Sequence, residues 1–173
     1  MSQQTENSMR KIFLSKIVLN MGVGKSGEPI EIGKKTLTQI TGKKPNARNA
    51  KKSQRDWGIR KGEPIGVAVT VRGNAATELL KRLLVAKDNK INQRAIDNEG
   101  NVSFGIKEHI DIPEIKYDPK IGILGLEVSV SLARSGFNVR LRSTNKSKVG
   151  KSHRISKDDS IKFLTENFGV QIV

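Results

Sequence analysis

The hydrophobic positions of the chain change period several times, and each change marks an element. "FLSKIVLNM" is rich in Ile, Leu and Val and reads as a strand over 13–21. Residues 28–41 switch to helical spacing. Pro29 suits a first turn, Ile30, Gly33, Leu37 and Ile40 share a face, and Gly42 supplies a C-terminal stop. "PIGVAVTVRG" then alternates strictly, with Ile65, Val67, Val69 and Val71 on one face and Gly66, Ala68, Thr70 and Arg72 on the other. A strand whose second face is small and polar can leave that face free for a ligand. "NAATELLKRLLVAK" predicts an amphipathic helix, with Asn74 as N-cap and Leu79, Leu80, Leu83 and Leu84 as the buried stripe.

The second half is more broken. Residues 88–101 are polar and irregular, "NVSFGI" is a short strand, and "EHIDIPEIKYDPKIG" is a proline-interrupted connection. "GLEVSVSLA" alternates again, Ser135 and Gly136 make a turn, and "FNVRLR" alternates back. This pattern predicts a β-hairpin with Phe137, Val139 and Leu141 facing the core and Asn138, Arg140 and Arg142 facing out. A last helix starts at Ser156 as N-cap, with Asp159 three residues on, and stops at Gly169. Residues 43–63 have no apolar period and hold either a short strand near 44–50 or one long loop. A loop of that length is usually functional or disordered. The expected organisation is a disordered tail over 1–8 and a single domain over 9–173. The expected fold class is α+β: an antiparallel sheet with helices packed on one face, a long basic loop, and the other face open to a partner.

Charge changes this picture most. Net charge is +15 on 173 residues, and it is segregated. Residues 43–61 hold eight Lys or Arg against Asp56 alone, and residues 140–157 hold seven with no acid. Each segment therefore carries +7, and the rest of the chain is nearly neutral. Two focused basic segments on a neutral body are the pattern of phosphate-binding surfaces. The candidate phosphate contacts are Lys43, Lys44 and Arg48 in the first segment, and Arg140, Arg142, Lys146, Lys148, Lys151 and Arg154 in the second. Lys16 on the first strand and Arg72 after the central one join them. There is no cysteine, so disulfides and thiolate metal sites are excluded. No apolar run approaches the ~18 residues of a membrane span, and the polar N-terminal stretch has no secretory h-region, which makes cytoplasmic residence the default.

"GVGKSG", residues 22–27, satisfies G-x-G-x-x-G and contains the end of a P-loop signature. The P-loop reading fails, and the dinucleotide reading lacks its context. The dinucleotide fingerprint needs a second strand ending in an acid about 20 residues later, and here the chain reads "TGKKPNARNAKK". The P-loop needs a glycine where Leu19 stands. The turn keeps only the physics of the fingerprint. Gly22 and Gly24 leave backbone N–H groups beside Asn20 and Lys25 at a helix start, where an RNA phosphate could sit. His109 and His153 are the only histidines, and neither stands in a metal or catalytic pattern; His153, among lysines, is expected to face RNA or solvent. No cofactor is implied. Trp57, the only tryptophan, lies in "QRDWGIRKG", either anchoring the loop or packing on ribose or base while Arg55 and Arg60 meet phosphate.

"KIVLNMGVG", "TGKKPNARNAKKS", "GIRKGEPIGVAVTVRG" and "NVSFGIKEHIDIPEIKYDP" resemble the ribosomal large-subunit protein five family, over nearly the whole chain from about residue 9. The ending, "STNKSKVGKSHRISKDDSIKFLTENFGV", is similar to the archaeal and eukaryotic branch. The resemblance implies a non-enzymatic protein of the central protuberance that joins 5S rRNA to large-subunit rRNA. It also implies contact with a small-subunit head protein and a basic loop approaching P-site tRNA. For 5S rRNA it implies Asn20, Thr70 and a polar residue of the "TGxKP" turn, which is Lys43 here and Gln in many relatives. The tRNA-facing loop maps to about 51–62, with Lys51, Lys52, Gln54, Arg55, Trp57, Arg60 and Lys61 as candidate contacts. Two other readings compete: a free-standing RNA-binding module, and an NAD(P)-dependent enzyme.

Overall fold

The computed structural model describes residues 7–24, 26–115 and 122–173. Among these the elements run β1 (Ile12–Gly22), α1 (Glu28–Thr41), β2 (Asn46–Asn49), β3 (Pro64–Val71), α2 (Asn74–Val85), β4 (Lys90–Ile91), β5 (Val102–Ile106), β6 (Leu126–Arg134), α3 (Lys157–Phe168) and β7 (Gln171–Ile172). Asn7 and Ser8, expected in the tail, belong to a 3-10 turn over Ser8–Arg10. Residues 1–6 and part of the proline-interrupted connection, 116–121, lie outside the described residues.

Five strands form one antiparallel sheet in the order β2-β3-β1-β6-β5. The period of two decides which face is buried. Ile17 stands opposite Val71 and Val130, and Leu19 opposite Val69 and Val128. These residues, with Met21, Val67 and Val102, are buried. The helices supply the other half of the same core through Ile30, Leu37 and Ile40 of α1, Leu79, Leu80, Leu83 and Leu84 of α2, and Leu164 of α3. Helices on one face and a free second face follow, as the alternation of β3 predicts.

Helix ends match their local chemistry. Pro29 stands in the first turn of α1, and Gly42 takes the left-handed conformation that closes it. α3 opens with a complete capping box. Ser156 Oγ accepts from the Asp159 N–H, and an Asp159 carboxylate oxygen accepts from the Ser156 N–H. Asn74 is not the N-cap of α2. It is already helical, Gly73 precedes it with φ +74°, and no side chain caps that end.

The predicted hairpin after β6 does not form. Both edges of β6 are taken, by β1 and β5, so residues 137–142 have no edge to pair with. They coil instead into a 3-10 turn over Phe137–Arg140, where the Leu141 and Arg142 N–H groups both donate to Asn138 O. Phe137 still packs against the core, but Leu141 is 74% exposed. In the stretch 43–63 the first of the two expected alternatives holds: a short strand, β2, lies within 44–50. β2 pairs with β3 at the sheet edge, where polar side chains serve as well as apolar ones. The sequence pattern also missed β4 and β7, a two-residue parallel pair outside the main sheet.

Arg134, at the end of β6, fastens α3 to the sheet. Its Nη2 donates to Asp159 Oδ2 at 2.9 Å and its Nη1 to Arg154 O at 3.1 Å, with the side chain only 11% exposed. Burial alone would raise the Asp159 carboxyl. The Ser156 hydrogen bonds and the Arg134 and Lys162 charges outweigh that and hold it below its ordinary 3.8. A carboxyl depressed on folding adds stability above its unfolded value and loses it as pH falls through the folded one. Thermal midpoints of the native chain and Asp159→Asn, scanned from pH 7 down to pH ~2.5, should therefore converge at the acid end. Parallel curves would show that the ionised carboxylate does not matter.

Candidate nucleic-acid interface

The outer face of the sheet can be read from the registers. Asn46, Ala68, Asn20, Glu127 and Gly105 stand side by side across all five strands. Arg48, Gly66 and Gly22 form a neighbouring row on β2, β3 and β1. On the other side lie Thr70, Val18, Ser129 and Ser103, and then Lys16 opposite Ser131. Most of these side chains are short, so the face is flat, and they are mostly polar, so it is wettable. Thr70 points to this face and not beneath a helix. A Cβ on Gly66 would stand 3.0 Å from Met21 O, so glycine is what lets β1 and β3 approach there.

Asn20 is oriented. Its Nδ2 donates to Glu127 Oε2 at 3.1 Å, which leaves its Oδ1 and second N–H for a partner. Ser103 and Ser129 hydroxyls are 3.4 Å apart. Glu127, Ser129, Ser103 and Asn46 were not among the residues singled out from sequence. The alternation in "LEVSVSL" does place Glu127 and Ser129 opposite the valines, but only the pairing of β6 with β1 brings them beside Asn20.

The glycine turn is less open than expected. The Val23 and Gly24 N–H groups both donate to Ile65 O, at 3.0 and 2.9 Å, so neither is free for a phosphate. Glu28 and Glu31 in the first turn of α1 further disfavour an anion there. Gly22 and Gly24 thus shape the strand-to-helix connection, and Lys25 lies outside the described residues.

The first basic segment is an ordered excursion from the β2–β3 edge. Ala50 N–H donates to Glu63 O and Gly62 N–H to Ala50 O, which closes its base. Gln54 and Ile59 exchange backbone hydrogen bonds, and a 3-10 turn over Arg55–Trp57 makes the tip. Ser53 Oγ accepts from the Lys61 N–H, and Glu63 accepts from the Arg60 N–H. Trp57 is 74% exposed at that tip, so it does not anchor the loop. Lys43, Lys44, Arg48, Lys51, Lys52, Arg55, Arg60 and Lys61 are exposed, and none pairs with an acid among the described residues.

The second basic segment leaves the opposite end of the sheet. β6 ends at Arg134, opposite Ile12, whereas β3 meets β1 toward Gly22 and carries β2 on its other edge. Arg140 Nη1 donates to Glu99 Oε2 at 3.3 Å, Arg142 Nε to Asn145 O and Arg154 Nε to Val149 O. Lys146, Lys148 and Lys151 are exposed with no acidic partner among the described residues, and Arg72 is exposed just past β3. His153 has partners within the chain. It is half-buried, its Nε2 donates to Ser135 O at 2.8 Å, and its ring meets Phe137 edge-on at 5.8 Å. His109 is buried, and its Nδ1 accepts from the Leu124 N–H. Among the described residues no three His, Cys, Asp or Glu come together as a metal site, and no helix is long and apolar enough to cross a membrane.

Residues 7–60 match the family model described as "Ribosomal protein L5", and residues 64–163 match the model for the C-terminus of the same ribosomal family. The chain is 63% identical to "Large ribosomal subunit protein uL5" of Nitrosopumilus maritimus, over 99% of each chain. It is 56% identical to the protein of that name from Cenarchaeum symbiosum, over 95% of this chain and 98% of the other. For that of Pyrobaculum aerophilum the identity is 49%, over 95% and 92%. The same family thus spans both basic segments and every strand of the five-stranded sheet, and the chain belongs to the ribosomal protein L5 family, the uL5 proteins of the large ribosomal subunit.

Proposed function

We propose that this chain is a structural constituent of the large ribosomal subunit that holds 5S rRNA on the outer face of its sheet. The carrying observation is that face: flat, short-chained and polar, uncovered by the helices, with Asn20 fixed by Glu127 at 3.1 Å. A-form RNA presents 2′-hydroxyls and base edges across a shallow minor groove, and a flat polar sheet can reach them. Asn20 offers an acceptor and a donor, and Thr70 a hydroxyl that can do either. The unpaired lysines and arginines at the two ends neutralise phosphates on both sides of the contact. In this reading Lys43 completes the 5S contact ionically, and the second segment engages large-subunit rRNA. The excursion over 51–62, with Trp57 at its tip, reaches toward P-site tRNA. The chain sits in the central protuberance of a cytoplasmic ribosome and meets a small-subunit head protein. It acts as a scaffold and not as an enzyme.

The test is 5S rRNA affinity at fixed salt. Asn20→Ala and Thr70→Ala are each expected to weaken binding about five- to tenfold, the cost of one lost directed polar contact, with the thermal midpoint unchanged. Shortening the 51–62 excursion should spare 5S binding and disturb only tRNA placement. Unchanged affinity in both point variants would overturn the assignment of the outer face.

A further inference from the structure

A cleft of about 630 Å³ opens between the 97–101 turn and the second basic segment. It lies within the range of roughly 300–1,000 Å³ usual for organic ligands. Its floor is apolar: Leu132, Phe137, Val149 and Ile155. Its rim is cationic, with Arg140, Lys146, Lys148 and Arg154. One wall carries the amides of Asn98 and Asn101. Asn101 spends its backbone N–H and its Nδ2 on the Asp97 carboxylate, at 2.7 and 2.8 Å, which turns its Oδ1 away from that partner as a spare acceptor.

These features together select a ligand. An inorganic anion has no use for the apolar floor, and an apolar molecule has no use for four cations. A nucleotide uses both, with a planar base on the floor and a phosphate on the rim. The amide wall and the exposed Glu99 carboxylate add acceptors for base N–H groups. Glu99 holds Arg140 at 3.3 Å, so the phosphate falls to Lys146, Lys148 and Arg154, away from that carboxylate's partner. We propose that this cleft takes one unpaired nucleotide of the bound RNA strand, with the base against Phe137 and Val149 and the phosphate on Lys146, Lys148 and Arg154. This rests on the rRNA-binding reading above and adds to the outer face a second, base-accepting contact.

The experiment compares two five-residue oligoribonucleotides of equal charge, one with normal bases and one abasic, by fluorescence anisotropy on the full chain at fixed salt. The normal oligomer is expected to bind about tenfold more tightly, the advantage of one buried base. It should shift the backbone amides of Asn101 and Phe137 in NMR, and the abasic oligomer should not. Ser147→Leu fills the cleft from an exposed lining position without changing charge or adding an aromatic ring, and should abolish the advantage. Equal affinities in the native chain overturn the proposal, as does an advantage that survives Ser147→Leu, which would place the base elsewhere, for instance on Trp57. AMP binding as tightly as the oligomer would assign the cleft to a free nucleotide. Hexaglutamate competing equally would assign it to a protein. The wider reading is judged separately: equal oligomer affinities beside Asn20-sensitive 5S rRNA binding remove the cleft alone.

Discussion

Replacing Gly100 by alanine should cost about 3 kcal/mol of folding stability, from the left-handed backbone penalty and overpacking together. Gly100 has φ +80°, and an added Cβ would stand 2.6 Å from Ile155 Cγ2 and closer still to Ser160 Oγ. Neither neighbour can step aside. Ile155 is buried, and Ser160 Oγ is held between Gly100 O at 3.1 Å and Ser156 O at 3.2 Å. The turn that carries Gly100 is itself pinned, because Asp97 Oδ1 accepts from the Glu99 and Asn101 N–H groups. The control is Gly24→Ala, with φ +79° and open space around the new methyl. It should cost only about 1 kcal/mol. The difference between the two variants in a denaturant titration isolates the steric part, and equal losses would mean that the α3 contact yields freely.

Substituting Lys146, Lys148 and Lys151 together by glutamine should change RNA binding more than any single polar contact. Each cation that displaces a counterion contributes about 0.7–0.9 to the slope of log affinity against log salt. The triple variant is therefore expected to show a slope shallower by about 2 to 3. These side chains are exposed and carry no ion pair among the described residues, so folding should not change. Arg140 is a poorer choice, because Glu99 already offsets part of its charge. A slope equal to that of the native chain would show that the second segment does not meet phosphate.

The elements with a strong period are legible in the sequence itself. The valine alternation of β3, the leucine stripe of α2 and the Ser156–Asp159 cap of α3 each arise from neighbours in sequence, so their signal is local. The failures were non-local. "FNVRLR" alternates as a strand should, but whether it can pair depends on β5 occupying the edge of β6. No local signal carries that fact. β2 has no apolar period because an edge strand needs none. The same division runs through the candidate site. The two basic segments stand out in the chain itself, and so does the face that carries Thr70; Asn20 is singled out by the family resemblance, and Glu127 acquires its place only when β6 pairs with β1. The glycine turn shows the converse: its flanks suggested free N–H groups, and the Ile65 carbonyl, remote in sequence, consumes two of them.

The sheet order has a consequence for how the chain reaches this state. β1 is made first and lies innermost, yet its two partners are β3 and β6, and Ile12 pairs as far away as Arg134. During synthesis one side of β1 therefore waits, its backbone paired only with water, until most of the sequence has emerged. Such long-range closure is slow relative to local helix formation. An apolar strand held open meanwhile is a template for pairing with another chain. Folding of this protein should thus be rate-limited by the arrival of β6, and burst-phase helix signal from α1 and α2 should precede protection of the β1 amides.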